Sequence, residues 1–254
     1  MFRNLVSVLS AVVIGAALAL MPMGGHAADT APMSDAEKAA FEKLIHDYIL
    51  KNPTVILESV RAHQEAQSKA EQAVQAQRMA DMREQIENGK LSPVGGNPSG
   101  NVTVVAFFDY RCGYCKKVHD AVMDTVKKDG NIKLVYKEYP ILGPDSVAAT
   151  RAALGVFYTM KDKYIAFNDA LMRSKGALNE AKALQIAESI GLDAKAVKKS
   201  MDDPRIDIEL GHTMALTEAL NIRGTPAFII NQILVPGAID QETLEAMIKE
   251  ARKG

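Results

Sequence analysis

The sequence predicts an α/β domain whose sheet is interrupted by an inserted helical subdomain and is preceded by an N-terminal α-helical arm. Three observations carry this. Two β-branched and aromatic runs, Val102 to Phe108 and Ile132 to Tyr139, flank the helical stretch Cys112 to Lys128 and give a strand–helix–strand unit. A helix-rich block over about 145–221, broken near Gly176, Gly191 and Pro204, separates that unit from two further short strands. Ahead of both, the chain from Ser34 to Asn88 reads as helical.

The opening residues fit a signal peptide. Arg3 precedes an uncharged apolar stretch from Leu5 to Met21, followed by Pro22, Gly24 and Gly25. Gly25 and Ala27 occupy the −3 and −1 positions of a processing site, so cleavage is expected to leave Ala28 at the mature N-terminus; an uncleaved anchor is the alternative. This predicts export to a compartment where thiol pairs can be oxidised.

Ser34 and Glu37 fit a capping box, and Phe41, Leu44, Ile45, Tyr48 and Ile49 recur at spacings of three and four, which predicts a first amphipathic helix. Asn52 and Pro53 supply an N-cap and a first-turn proline for a second helix running to Asn88-Gly89. Its middle, Gln64 to Gln77, is rich in Ala, Gln and Glu. So thin an apolar face is expected to pack on another copy of itself, with a bare helical linker as the alternative. The Gly/Pro stretch from Gly89 to Gly100 reads as a linker. The expected organisation is therefore a signal peptide at 1–27, an oligomerisation arm at 28–88, a linker at 89–100 and the main domain at 101–254.

Within that domain, Val102 to Phe108 reads as a buried strand leading through Asp109, Tyr110 and Arg111 into Cys112, and Ile132 to Tyr139 as the next strand before Pro140. After the helical block come Gly224-Thr225-Pro226, strands Ala227 to Ile230 and Ile233 to Val235, and a closing helix from Asp240 to Arg252. Charge narrows the function. A net charge of −1 and the absence of tryptophan argue against nucleic acid as a partner, and 48% apolar residues exclude wholesale disorder.

Cys112 and Cys115 are the two cysteines of the chain. Placed where a strand gives way to a helix, Cys112 lies at the helix N-terminus, where unpaired N–H groups and the dipole favour negative charge. The expected roles are Cys112 as attacking thiolate and Cys115, one turn deeper, as resolving thiol. A purely structural bridge would close too short a loop to constrain the unfolded chain. A zinc site would need about four ligands, and Cys112, Cys115 and His119 offer three. A c-type haem would need His at position 116, where Lys116 stands. No metal or cofactor is expected.

The C-G-Y-C motif after VTVVAFFDYR, the helical insertion, and G-T-P before a hairpin resemble the DsbA-like branch of the thioredoxin superfamily over residues 101–254. The arm is similar to that of ScsC-like and Com-type exported members, in which it makes dimers or trimers. The resemblance implies a thioredoxin fold, a cis bond before Pro226 facing the cysteines, and a substrate-binding backbone at Thr225. It further implies a periplasmic location with outer-membrane association open, secreted proteins as substrates, a membrane redox partner of the DsbB or DsbD type, and a homodimer or homotrimer.

C-G-Y-C with Thr225 before the proline is similar to disulfide isomerases and reductases, whereas strong oxidases of the family carry C-P-H-C with Val there. The expected function is thus a disulfide isomerase or reductase, with a dithiol oxidase or dual-function enzyme as the alternative. From another class, a metal-binding or surface adhesion protein is the rival. Four further residues are candidates for tuning. Gly113 and Tyr114 lie between the cysteines, Glu138 ends the second strand where a buried acid would move protons for Cys115, and His119 lies one turn beyond Cys115.

Overall fold

A computed structural model describes residues 32–253. The signal peptide and its processing site lie outside the described residues. In chain order the elements are α1 (Asp35–Lys51), α2 (Thr54–Asp81), α3 (Arg83–Glu87), β1 (Val94–Gly96), β2 (Val102–Phe108), α4 (Gly113–Asp129), β3 (Ile132–Glu138), α5 (Pro144–Thr159), α6 (Tyr164–Arg173), α7 (Glu180–Ser189), α8 (Ala194–Ser200), α9 (Pro204–Ala219), β4 (Ala227–Ile230), β5 (Ile233–Pro236) and α10 (Gln241–Ala251). Contacts divide the chain into two units that meet between Ala62 and His63.

In the first unit, α1 starts on the expected capping box: the Ser34 side chain accepts from the Glu37 N–H, and the Glu37 carboxylate accepts from Ser34 N at 2.8 Å. Its apolar residues are not covered. Phe41, Leu44, Ile45, Tyr48 and Leu50 are exposed, as are Val55, Ile56, Leu57 and Val60 at the start of α2.

In the second unit, among the described residues, the sheet has five strands in the order β1-β3-β2-β4-β5. β2 pairs parallel with β3, from Val102 opposite Ile132 to Phe108 opposite Glu138, and antiparallel with β4. The apolar run of β2, interrupted only by half-buried Thr103, follows from burial on both faces. Val102, Val104, Ala106 and Phe108 point into one cluster with α4, α5, α6 and α10, while Val105 and Phe107 point into a second with Met79, Ile86, Leu216 and Leu220. The hairpin between β4 and β5 turns on Asn231 and Gln232, both with positive φ, a pairing that suits the right-handed twist of adjoining strands.

Two readings of the sequence differ from the structure. The expected single long second helix is divided at Met82 into α2 and α3, with Met79, Met82 and Ile86 all facing the second cluster. The stretch read as a plain linker, 89–100, carries the edge strand β1, paired antiparallel with β3 through Val94 opposite Val135.

The helical insertion packs closely. A Cβ on Gly155 of α5 would lie 2.7 Å from the Ser200 carbonyl oxygen at the end of α8, a backbone atom that cannot swing aside. Gly155→Ala is therefore expected to destabilise by about 1–3 kcal/mol, outweighing the roughly 1 kcal/mol that alanine gains in a helix. Thermal unfolding checks this; a variant as stable as the parent would refute the close contact.

Candidate active site

Strand β2 delivers the chain into a three-residue loop, Asp109 to Arg111, that aims Cys112 at the start of α4. Asp109 is fully buried and organises that loop, its carboxylate accepting from Arg111 N at 2.8 Å, Ser146 Oγ at 2.8 Å and Leu142 N at 3.0 Å. Its carbonyl accepts from Cys112 N at 3.0 Å. Arg111 Nη1 donates to the Leu142 carbonyl at 2.8 Å, which ties the segment after β3 to the same place.

Cys112 is the N-cap of α4. Its sulfur accepts from Cys115 N at 3.4 Å and donates to the Thr225 carbonyl at 3.2 Å. Both cysteines are free thiols. They differ in burial: Cys112 retains 7% exposure and Cys115 retains 1%. Burial pushes the Cys115 thiol up to about 12, and the neighbouring Cys112 adds to the rise, although the Asp109 backbone opposes it. The pair thus combines an outer sulfur at a helix N-terminus with an inner sulfur that holds its proton.

The Thr225-Pro226 bond is cis. Pro226 is buried and, with Cys115, borders a small cavity. Of the tuning candidates, Gly113 has open space around it and Tyr114 is 67% exposed, so both face solvent beside Cys112.

Glu138 is buried, but its partners are tyrosines and neither cysteine. Its Oε1 accepts from Tyr110 Oη and Tyr164 Oη, each at 2.9 Å, and Asn168 Nδ2 donates to Tyr110 Oη at 2.9 Å. Oε2 has no hydrogen-bond partner among the described residues. Burial pushes this carboxyl up to about 8, against the opposing hydrogen bonds from Tyr164 and Tyr110.

His119, which sequence alone more readily places on an exposed helix face, is buried, with Nε2 2.9 Å from Asp169 Oδ1. It is not gathered with the cysteines into a ligand set. Among the described residues no group of three or more His, Cys, Asp or Glu could hold a metal ion.

Sequence reasoning did not single out Asp109, Asn168 or Lys116. Lys116 reaches α6, donating to the Ser174 carbonyl at 2.6 Å at that helix's C-terminal end. On the other face of the sheet it also missed a buried ion pair, Lys137 with Glu209 at 3.6 Å, bridged by Ser92. A polar residue directly after a strand buried on both faces, as Asp109 is, was the available signal.

Fold and site together define a thioredoxin-fold protein with a C-x-x-C dithiol at the N-terminus of α4. The chain belongs to the Thioredoxin family, whose model matches residues 87–250, and residues 37–70 match the N-terminal domain of copper resistance protein ScsC.

A thioredoxin-like oxidoreductase from Silicibacter pomeroyi is 42% identical, covering 68% of this chain and 98% of its own, with a TM-score of 0.65. A linker-deletion mutant of Proteus mirabilis ScsC is 25% identical, covering 88% of this chain and 99% of its own, with a TM-score of 0.68. Among curated relatives, disulfide bond formation protein D of Bacillus subtilis is 23% identical over 65% of this chain and 79% of its own length. The chain also matches Na(+)/H(+) antiporter NhaA 1 of Salinispora arenicola at 27% identity, spanning only 25% of that protein.

Proposed function

We propose that this chain is an exported protein thiol–disulfide oxidoreductase that acts on secreted proteins through Cys112 and Cys115. The observation that carries the reading is the Cys112 sulfur, held between the Cys115 N–H of the first turn of α4 and the Thr225 carbonyl, with the buried Cys115 one turn behind it. Cys112 attacks a client disulfide, and Cys115 resolves the mixed disulfide. Thr225 and Pro226 present backbone to the client, and exposed Tyr114 contributes to the contact surface.

The direction we assign is isomerisation or reduction. C-G-Y-C and the threonine before the cis-proline support it, as does an arm that brings several active sites together. The arm's role as an oligomerisation device is supported by the uncovered apolar residues between Phe41 and Val60 and by the match to the ScsC N-terminal domain. A periplasmic setting, with a membrane partner of the DsbB or DsbD type resetting the pair, completes the reading.

Insulin reduction and the refolding of scrambled ribonuclease test it together. The purified chain is expected to do both, and activity in neither assay would overturn the proposal. Removing 28–62 is expected to leave an exchange-competent monomer by light scattering. The cut stops there because Met79 and Ile86 belong to the core. A truncated protein that stays oligomeric would take the arm out of the account.

A further inference from the structure

The exchange reading leaves one step without an agent. Cys115 must lose its proton before it attacks, and burial raises that thiol to about 12, so a nearby group has to take the proton at neutral pH. Below Cys115 lies a cavity of about 30 Å³, room for a single water molecule. Cys115, His119, Tyr136 and Asn168 are the side chains on its wall that carry polar atoms. The rest of the wall is apolar, Tyr136 Oη donates to Met123 Sδ at 3.6 Å and Asn168 Nδ2 donates to Tyr110 Oη at 2.9 Å, so Cys115 and His119 are the pair that a water there would bridge.

His119 follows Cys115 by four residues and so shares its face of α4. Its Nε2 lies against Asp169. Burial pushes the Asp169 carboxyl up, but hydrogen bonds from His119 and Arg173 outweigh this and hold it below the usual range, so it stands ionised opposite the ring. With Nε2 committed to Asp169, Nδ1 is the ring nitrogen left for a second partner.

We propose that His119 is the proton acceptor for the resolving step, working on Cys115 across one water in this cavity, with Asp169 as the positioning residue that sets its tautomer. This rests on the exchange reading. The Cys115 proton passes through the water to Nδ1, and the thiolate attacks the Cys112 sulfur of the mixed disulfide. The Cys112–client bond breaks as the Cys112–Cys115 bond forms, and the client leaves as a thiolate that recovers the proton from the imidazolium. The enzyme's two thiols are oxidised and the client disulfide is reduced, with no further reagent. Glu138 is the rival acceptor, but its Oε1 is occupied by two tyrosines and it does not border the cavity.

The groups around the ring are Cys115 and Asp120 on its own helix, Asp169 and Arg173 on α6, and Tyr136 on β3. Arg173 holds Asp169 at 2.9 Å and Asp120 at 2.8 Å, so it keeps both carboxylates occupied whatever the state of the imidazole.

The full-length dithiol protein, mixed with Ellman's reagent in a stopped-flow instrument, separates the two steps. Attack by Cys112 releases one coloured thiolate at a rate that depends on reagent concentration, and resolution by Cys115 releases a second at a rate that does not. Followed between about pH 5 and 8, His119→Leu is expected to slow the second phase about 10- to 100-fold, to spare the first, and to weaken the second phase's dependence on pH. His119→Gln, which can still donate to Asp169 but is no base, should slow it equally and carries the test if the leucine variant fails to fold. Asp169→Asn should displace the pH profile. A second phase matching the parent's across this range in both His119 variants overturns the proposal. A parent protein that lacks the first phase overturns the exchange reading itself.

Discussion

Cys112→Ser is expected to lower disulfide exchange by more than about a thousandfold, because it removes the only sulfur placed to meet a client. Cys115→Ser acts differently. It leaves the first attack intact and removes the sulfur that ends it, so mixed disulfides with client proteins should accumulate. The two thiols should also differ toward iodoacetamide at neutral pH. Cys112 is at the helix start and retains 7% exposure, whereas Cys115 is 1% exposed with its thiol raised to about 12. Rapid labelling of Cys112 alone in the dithiol protein, read by peptide mass, is the expected outcome. Equal labelling, or trapping by the Cys112 variant in place of the Cys115 variant, would reverse the assignment of roles.

Glu138→Gln is expected to change stability in a pH-dependent way. The ordinary carboxyl value is 4.5, and burial in the folded protein moves it to about 8. Between these values the native protein holds a proton that the unfolded chain has released, so the stability present below about pH 4.5 falls as pH rises toward 8. The displacement corresponds to about 5 kcal/mol. Glutamine keeps an oxygen for Tyr110 and Tyr164 and carries no charge. The variant should therefore be about 2–4 kcal/mol more stable than the parent above pH 8.5 and nearly equal to it near pH 4.5. Urea unfolding at the two pH values checks this. A difference that does not depend on pH would show that Glu138 is not held protonated.

Much of the fold was legible because local signals agreed with tertiary ones. Val102 to Phe108 reads as a strand because both of its faces are buried. Ser34 with Glu37 marks the start of α1, and Cys112 caps α4 where the strand-to-helix transition placed it. What stayed hidden depends on distant partners. β1 is three residues long and two of them are glycine, so only its pairing with β3 reveals a strand. Methionine is no helix breaker, so no local signal marks the division between α2 and α3 at Met82.

The cysteine pair and Thr225-Pro226 could be singled out from spacing and resemblance. The surroundings of the pair could not. His119 meets Asp169 fifty residues later, and Glu138 meets Tyr164 from the insertion, encounters that no local pattern encodes.

The most direct test is a redox titration of the full-length chain in glutathione buffers of graded potential, followed by acid quenching, thiol alkylation and mass measurement. The account predicts that Cys112 and Cys115 convert together, within one chain, with the loss of two hydrogen atoms and a single two-electron midpoint. Thiols that remain alkylatable across the whole range, or disulfides that form only between chains, would contradict it.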